Sequence, residues 1–338
     1  KVWDPVAPQV KGARMAFVVP DGSLSLLNFG TLLLPGNRFL VEGETKLHYL
    51  SAERDLLRPE RCAHGAASAL VLGGPDFDRP PVAAPAAAGM DKASSKGSAV
   101  LASGSVYRGA ISSCESFRLL RFAPLPGTAS EANEVSALLS RLHTAPLGPA
   151  EILKLTGREA SEQALKSQAP GRLILHVATH GFFLSQNCSS LPENPLLLSG
   201  LALSGANERL SDLSGRRVED GILTAEEVAS LDLRSAEWVV LSGCETGAGV
   251  IQAGEGVLGL RRAFQIAGAQ TLIMSLWSVA DVPAQEWIRN LYTSRIAGSS
   301  SAEAVRDATL NMIAARRKAD VSSHPHSWGA FIASGDWR

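Results

Sequence analysis

The sequence lacks the features that mark several large classes of protein. It has four cysteines, Cys62, Cys114, Cys188 and Cys244, at irregular spacing without a C-x-x-C pair, which argues against a zinc knuckle or a disulfide framework. Lys and Arg total 32 against 33 Asp and Glu, so no excess charge favours nucleic acid or an anionic membrane. The longest apolar stretch, residues 24–41, is interrupted by Asn, Gly, Pro and Arg and predicts no membrane span. We therefore expect a globular protein with reduced thiols and a cytoplasmic location.

Motifs of other enzyme classes are missing as well. The sequence contains no G-x-x-x-x-G-K-[ST], H-E-x-x-H or G-x-S-x-G segment, so it lacks the residues of P-loop NTPases, zincins and α/β-hydrolases. Residues 254–259 fit G-x-G-x-x-G, but Glu255 would repel a pyrophosphate and the preceding predicted strand ends well before the first glycine. Because no basic stripe is interleaved with aromatic residues, direct nucleic-acid contact is not expected. We expect no cofactor and no metal ion.

The pattern of predicted elements changes along the chain. Residues 1–125 predict a β-rich amino-terminal half, within which residues 76–116 lack periodicity and predict a flexible insertion. Residues 126–338 alternate strand and helix signals, which is typical of a parallel sheet with crossover helices. The expected fold is therefore α/β, with three layers and a mostly parallel central sheet. Because the sequence begins at Lys1 without an initiator methionine, we expect it to be part of a longer protein.

Hydrophobic periodicity predicts the individual elements. Continuous apolar runs at residues 173–178, 238–241 and 271–276 predict three buried central strands. Residues 24–27 predict a further strand in the amino-terminal half, and apolar residues spaced at helical intervals predict a helix that begins at about Gly254.

Two short segments carry the candidate chemistry. Residues 175–181 and 239–247 each begin as an apolar, β-branched run and end in a reactive side chain flanked by glycine. If the two strands lie parallel in one sheet, His180 and Cys244 emerge together at its carboxyl edge, where open α/β sheets bind ligands. A thiol facing an imidazole at that edge is the minimal apparatus of a cysteine peptidase.

The residue types suggest a role for each group. Cys244 would attack a peptide carbonyl, and His180 would protonate the leaving amine and later activate water. The backbone N–H groups of Gly181 and Cys244 would stabilise the oxyanion. His176 lies on the same strand as His180. We expect it to be either a core residue or a residue that supports the catalytic groups from the second shell of side chains around them. A single cysteine or histidine is more often a packed core residue, so the hypothesis depends on the pair.

Seven motifs distributed over nearly the whole chain combine strand ends, glycine-rich turns and a segment that contains tryptophan: residues 19–22, 51–52, 180–181, 242–247, 254–256, 275–281 and 324–332. Together these motifs resemble the CHAT family of caspase-like peptidases, which is related to caspases, separases and gingipains.

The resemblance implies a caspase-like catalytic half preceded by a pseudo-caspase-like half. It makes Cys244 the nucleophile and His180 the general acid/base. Asp281 occupies the place of an acid that receives a basic side chain in related separases, and Glu245 and Glu255 are alternative candidates for that acid. A carboxylate there would favour Arg or Lys before the scissile bond. Asp281 also precedes Pro283, so it could instead cap the next helix.

The resemblance also implies a protein substrate and regulation. Family members commonly follow tetratricopeptide or other helical-repeat regions, and by analogy with bacterial defence the substrate could be a gasdermin-like pore former or another effector. Arg216 and Arg217 lie between the two catalytic strands and are either solvated loop charges or sites of self-cleavage. The alternative function is a catalytically silent CHAT-type module that binds protein partners through its loops.

Overall fold

The computed structural model describes residues 2–57, 68–82, 121–141, 143–144, 148–183, 194–208, 219–243, 250–252 and 256–338. The strands are β1 (Met15–Val18), β2 (Leu33–Leu34), β3 (Arg38–Phe39), β4 (Lys46–Tyr49), β5 (Ser68–Pro75), β6 (His143–Thr144), β7 (Gly148–Pro149), β8 (Glu151–Gly157), β9 (Ile174–Ala178), β10 (Gly181–Phe183), β11 (Ser199–Ala202), β12 (Ile222–Thr224), β13 (Trp238–Leu241), β14 (Val250–Gln252), β15 (Gly256–Leu258), β16 (Thr271–Ser275) and β17 (Phe331–Gly335). The α-helices are α1 (Pro126–Leu139), α2 (Glu162–Gln168), α3 (Ala225–Ala229), α4 (Leu260–Ile266), α5 (Asp281–Ile296) and α6 (Ser301–Lys318).

An eight-stranded sheet in the order β1-β4-β17-β16-β13-β9-β5-β8 organises the molecule. Its neighbouring strands are parallel except at the β16/β17 pair, which is antiparallel. The central strands are buried on both sides and consist almost wholly of apolar residues, as expected of a parallel sheet covered on both faces. The sheet combines strands from both sides of the predicted 125/126 boundary, and the division into two halves stays a prediction.

Helices cover the two faces of this sheet. Consecutive residues of β5 face opposite layers of helices. Leu70 packs in a core with α2, α3 and α4, whereas Val71 packs in a core with α1, α5 and α6. This alternation follows from the period-2 geometry of a strand. The predicted three-layer α/β/α architecture with a mostly parallel sheet is confirmed.

Side-chain caps fix the start of several helices. Thr224 accepts from the N–H of Glu227 while the Glu227 carboxylate accepts from Thr224, a capping box that begins α3. Ser300 and Glu303 form the same arrangement before α6. These caps begin α3 at Ala225 and α6 at Ser301.

Two predicted elements are wrong. Residues 24–27 lie largely in a 3-10 helix, Gly22–Leu26, whose cap Asp21 accepts from the Gly22 N–H. The helix predicted from about Gly254 begins only at Leu260, because β14 and β15 form a hairpin before it. Gly259 ends that hairpin with φ 148°, a conformation that side chains disfavour.

A small antiparallel sheet, β10-β11-β12, lies beside the carboxyl end of β9. It carries a third apolar core that includes Phe77, Phe122, Phe182 and Ile222. Within the described ranges, the helices do not combine the length and apolar character that crossing a bilayer requires.

Candidate active site

The register of β9 and β13 brings the two candidate catalytic segments to one edge. Val177 pairs with Leu241 in adjacent parallel strands, and the Ser242 N–H donates to the Val177 carbonyl at 2.9 Å. His180 and Cys244 follow that registered pair at the same offset along their strands. The description of this loop stops at Gly243, so Cys244 and Glu245 lie outside the described residues.

The His180 imidazole is held by a backbone carbonyl. Its Nε2 lies 2.8 Å from the carbonyl oxygen of Ala123. Because a carbonyl only accepts, Nε2 carries the hydrogen, and in the neutral ring Nδ1 carries the lone pair. An imidazole with this tautomer can take a proton at Nδ1.

Aromatic rings enclose the same imidazole. The ring centroids of Phe77 and Phe122 lie 5.3 Å and 5.7 Å from that of His180. His180 is only 4% exposed, a degree of burial that is more common for a structural histidine than for a group that must meet substrate. The surroundings therefore fix the ring firmly.

Two hydrogen bonds with Ala202 in β11 hold the residues that follow β9. The His180 carbonyl accepts from the Ala202 N–H at 2.9 Å, and the Thr179 hydroxyl donates to the Ala202 carbonyl at 2.5 Å. Gly181 is buried in β10, where it pairs with Leu201. The predicted contribution of Gly181 to an oxyanion hole stays a prediction.

Ser275 orients the peptide that precedes Cys244. It is the last residue of β16, it is fully buried, and its hydroxyl donates to the Gly243 carbonyl. No role is predicted for Ser275 from the sequence, although Ser275 begins the motif 275–281 that carries part of the family resemblance. Its position on the strand next to β13 is the structural reason for this contact.

Asp281 lies at the start of α5 and against the start of α1. Gln285 donates to its Oδ2 at 3.2 Å, and a Cβ atom added at Gly127 would collide with the same oxygen. A carboxylate in the first turn of one helix and beside the first turn of another interacts favourably with both helix dipoles. These contacts give Asp281 a structural role, and its role as a specificity residue stays a prediction.

His176 belongs to the core between the sheet and the helices. Its Nε2 lies 3.0 Å from Oε1 of Glu131 in α1, and its Nδ1 lies 3.2 Å from the hydroxyl of Tyr292 in α5. An imidazole that donates to Glu131 accepts from Tyr292, and burial, which raises the pKa of Tyr292 well above its usual range, keeps that hydroxyl protonated. These contacts place His176 in the core, and its predicted role in supporting the catalytic residues stays a prediction.

A separate charged cluster lies at the start of β12. The Lys166 ammonium donates to Glu162, Glu219 and Glu227 at 2.7, 2.8 and 2.9 Å. Burial, followed by the hydrogen bond with Glu219, raises the pKa of Glu162. Although the three carboxylates lie close enough to bind a cation, Lys166 already supplies positive charge there. The cluster joins α2, α3 and the residues just before β12.

The other predicted site residues, Arg216 and Arg217, lie in the range 209–218, outside the described residues. The predicted cleavage at these residues therefore stays a prediction. Within the predicted insertion 76–116, only residues 76–82 are described.

Comparison with solved structures defines the class of fold. The Arg-specific cysteine proteinase gingipain R matches with a TM-score of 0.56 at 9% sequence identity, covering 99% of this chain and 67% of that chain. At this identity the similarity shows the fold alone, which is that of the caspase-like cysteine peptidases.

Comparison of sequences then identifies the family. The CHAT domain family matches residues 1–336, and the chain belongs to that family. Tetratricopeptide repeat protein 28 of Homo sapiens is 26% identical over 234 residues, and its Mus musculus counterpart is 26% identical over 235 residues. Each alignment covers 63% of this chain, which spans 8% of the human relative and 9% of the mouse relative. The resemblance stated from the motifs is confirmed.

Proposed function

We propose that the protein is a cysteine endopeptidase in which Cys244 is the nucleophile and His180 the general acid/base. The observation that carries the proposal is the His180 tautomer. A 2.8 Å hydrogen bond to the Ala123 carbonyl assigns the hydrogen to Nε2 and the lone pair to Nδ1, at the edge of the sheet that the Cys244 strand approaches in register. Membership of the CHAT family supports this assignment.

The proposed reaction follows from these two groups. Nδ1 of His180 takes the Cys244 thiol proton, and the thiolate sulfur bonds to the scissile carbonyl carbon. The imidazolium then returns its proton to the leaving amine as the C–N bond breaks, which leaves an acyl-enzyme. Water, deprotonated at the same nitrogen, cleaves the thioester and restores the thiol. The N–H groups of Gly181 and Cys244 are our candidates for stabilising both tetrahedral oxyanions.

A preference for Arg or Lys before the scissile bond is a further part of the proposal. Asp281 and Glu245 are the candidate acids, and a carboxylate would bind a guanidinium through charge-assisted hydrogen bonds. The fold neighbour gingipain R is Arg-specific by its title. The contact between Asp281 and the start of α1 means that its substitution tests stability and specificity together.

We further propose regulation through other parts of a longer protein. The curated relatives are tetratricopeptide repeat proteins, of which this chain matches less than a tenth. An upstream repeat region that controls access to the site, and a protein substrate such as a gasdermin-like or other effector, fit that organisation. A thiol nucleophile must stay reduced, so we place the protein in the cytoplasm.

Self-cleavage at Arg216 or Arg217 would be one form of regulation. We expect the wild-type protein, incubated alone, to yield fragments that end at one of these residues, whereas the Cys244→Ala variant yields none. Intact-mass spectrometry over time gives the measurement. Equal fragments from both proteins would attribute the cleavage to a contaminant.

One observation favours a second candidate function. His180 is 4% exposed, and buried histidines of this kind are commonly structural. In that case the chain would be a catalytically silent CHAT-type module that binds a protein partner.

A peptidyl-Arg electrophile separates the two candidates. We expect mass spectrometry to find the probe on Cys244 at neutral pH, with Cys62, Cys114 and Cys188 serving as reference thiols in the same chain. His180→Gln should slow the labelling, and a peptidyl-Leu probe should label more slowly than the Arg probe. Labelling of Cys244 no faster than of the three other cysteines, in the full-length protein, would favour the silent module.

A further inference from the structure

One buried side chain joins two loop segments beside His180. The Asn207 amide oxygen accepts from the Phe122 N–H at 2.8 Å, and its amide nitrogen donates to the Phe122 carbonyl at 2.9 Å and to Oδ1 of Asp78 at 2.8 Å. Its backbone N–H donates to the Phe77 carbonyl at 2.9 Å. Asn207 is 7% exposed, so these bonds are largely shielded from water.

Both of the segments that Asn207 holds contact the imidazole. Phe77 and Phe122 supply the rings that flank His180, and the residue after Phe122 is Ala123, whose carbonyl accepts from Nε2. Residues 121–125 belong to neither a helix nor a strand, so no regular backbone ladder fixes their conformation. The Asn207 amide supplies the donor and acceptor that a neighbouring strand would otherwise provide.

We propose that Asn207 is a positioning residue for His180. By fixing both backbone polar groups of Phe122, it holds the next carbonyl where it accepts from Nε2 and so maintains the Nε2–H tautomer. The catalytic meaning of that tautomer rests on the proposed peptidase function. The positioning effect itself is a property of the folded chain and is measured without substrate.

The measurement is the tautomeric state of His180. In protein labelled with ¹⁵N-histidine, long-range ¹H–¹⁵N correlations distinguish an Nε2–H from an Nδ1–H ring, and comparison with His180→Gln assigns the signal. We expect wild-type His180 to be the Nε2–H tautomer at a pH where it is neutral. In Asn207→Ala we expect a mixture of the tautomers, together with a roughly 10- to 100-fold lower kcat/KM for a peptide substrate.

Asn28 provides the matched control. It is also 7% exposed, and its side chain makes four hydrogen bonds, with the carbonyls of Gly329 and Phe331, the Gly30 N–H and the Tyr49 hydroxyl. These partners lie on the β4/β17 side of the sheet. Asn28→Ala should lower the melting temperature about as much as Asn207→Ala while leaving the His180 tautomer unchanged.

A second pair of variants covers the case in which Asn207→Ala does not fold. Asn207→Asp keeps the acceptor for the Phe122 N–H but sets a carboxylate against Asp78, and adding Asp78→Asn restores a donor to that contact. We expect the single variant to disturb the tautomer and the double variant to recover it only in part, because a carboxylate at position 207 still offers no donor to the Phe122 carbonyl.

The outcomes separate this inference from the proposed function. An unchanged His180 spectrum in both Asn207→Ala and Asn207→Asp, or an equal change in Asn28→Ala, would overturn the positioning role whatever the peptidase activity. A changed tautomer in a protein whose wild type never cleaves a substrate would support the positioning role and contradict the proposed function.

Discussion

His176 and His180 lie close together along the chain, yet their surroundings differ in kind. His176 is fully buried between a carboxylate and a tyrosine hydroxyl, both from helices that pack on one face of the sheet. His180 lies past the end of β9 and has a backbone carbonyl and two phenylalanine rings as described neighbours. Side chains of α1 and α5 contact both ring nitrogens of His176 and so link these helices to β9. At His180, a backbone carbonyl orients the ring through Nε2, which leaves the lone pair on Nδ1.

A third histidine, His48, shows how burial changes the pKa of an imidazole that donates to a backbone carbonyl. His48 in β4 also donates from Nε2 to a backbone carbonyl, that of Gly335 at 3.0 Å, and burial lowers its pKa to about 4. His48 has no reactive residue assigned beside it. The carbonyl contact by itself therefore does not make a histidine catalytic, and the proposed role of His180 also depends on its position beside the end of β13.

The largest effect is expected at His180. It tests whether His180, rather than His176, takes part in catalysis. His180→Gln keeps an N–H donor for the Ala123 carbonyl but removes the proton shuttle, so kcat/KM should fall by about 10²- to 10⁴-fold. The melting temperature should change little, because Gln is accommodated at a similar hydrogen bond. Steady-state kinetics and a thermal melt give the two readouts. Retention of more than a tenth of the activity would remove His180 from the mechanism.

The complementary variant concerns stability. His176→Leu takes the Nε2 partner away from Glu131, which is 1% exposed, so we expect a loss of about 3–5 kcal/mol in the free energy of unfolding. Urea denaturation measures it. In a double-mutant cycle, His176→Leu combined with Glu131→Leu should cost clearly less than the sum of the two single changes. Additive losses would show that the two side chains do not stabilise one another.

His48 predicts a pH dependence of a defined sign. Its folded pKa of about 4 lies below its unfolded value of 6.5, so between these values the unfolded chain binds more protons and stability falls as the pH falls. From pH 7 to pH 5 this group should remove about 2 kcal/mol from the free energy of unfolding. His48→Gln should abolish that part of the decrease. A wild-type decrease that survives unchanged in the variant would assign it to other groups.

The smallest expected effect tests whether the two neighbouring histidines are coupled. Tyr292→Phe removes the hydroxyl 3.2 Å from His176 Nδ1 and should cost about 1 kcal/mol of stability. We expect kcat/KM to stay within about twofold of wild type, since loss of one neutral hydrogen bond in the core leaves the sheet edge in place. A tenfold decrease would instead make the His176 network part of the catalytic apparatus.

The sequence pattern predicts the central strands well because each is a short apolar run that fits a buried strand. Residues 238–241 are predicted as a strand and form β13 with those bounds. Burial on both faces of a parallel sheet requires such runs, so the carboxyl edge that β9 and β13 share could be predicted from the sequence.

The wrong predictions fall where local hydrogen bonds outweigh hydrophobic pattern. Leu24 and Leu26 are spaced as in a strand, but Asp21 caps a 3-10 helix that includes both. Val257 fits a helical stripe with the residues of α4, but pairing of β15 with β14 places it in a hairpin. Periodicity over so few residues does not separate these structures.

Other parts of the site leave no trace in the sequence pattern. The acceptor for His180 is a backbone carbonyl, which every residue carries, so nothing distinguishes Ala123 in advance. Nothing in the sequence distinguishes Asn207 from other loop asparagines, because its hydrogen bonds with Phe122 form only in the folded chain. The partners of His176 come from helices far along the chain, and only the packing of α1 and α5 reveals them.

The order of strands in the large sheet has a consequence for biosynthesis. Among the described strands, β1 and β4 join the sheet through β17 (Phe331–Gly335), which is translated after every other strand of that sheet. β1 and β4 therefore cannot pair with the rest of the sheet until β17 has been translated. Such late closure by distant segments slows folding and exposes strand edges, so we expect newly made chains to depend on chaperones until the final strand docks.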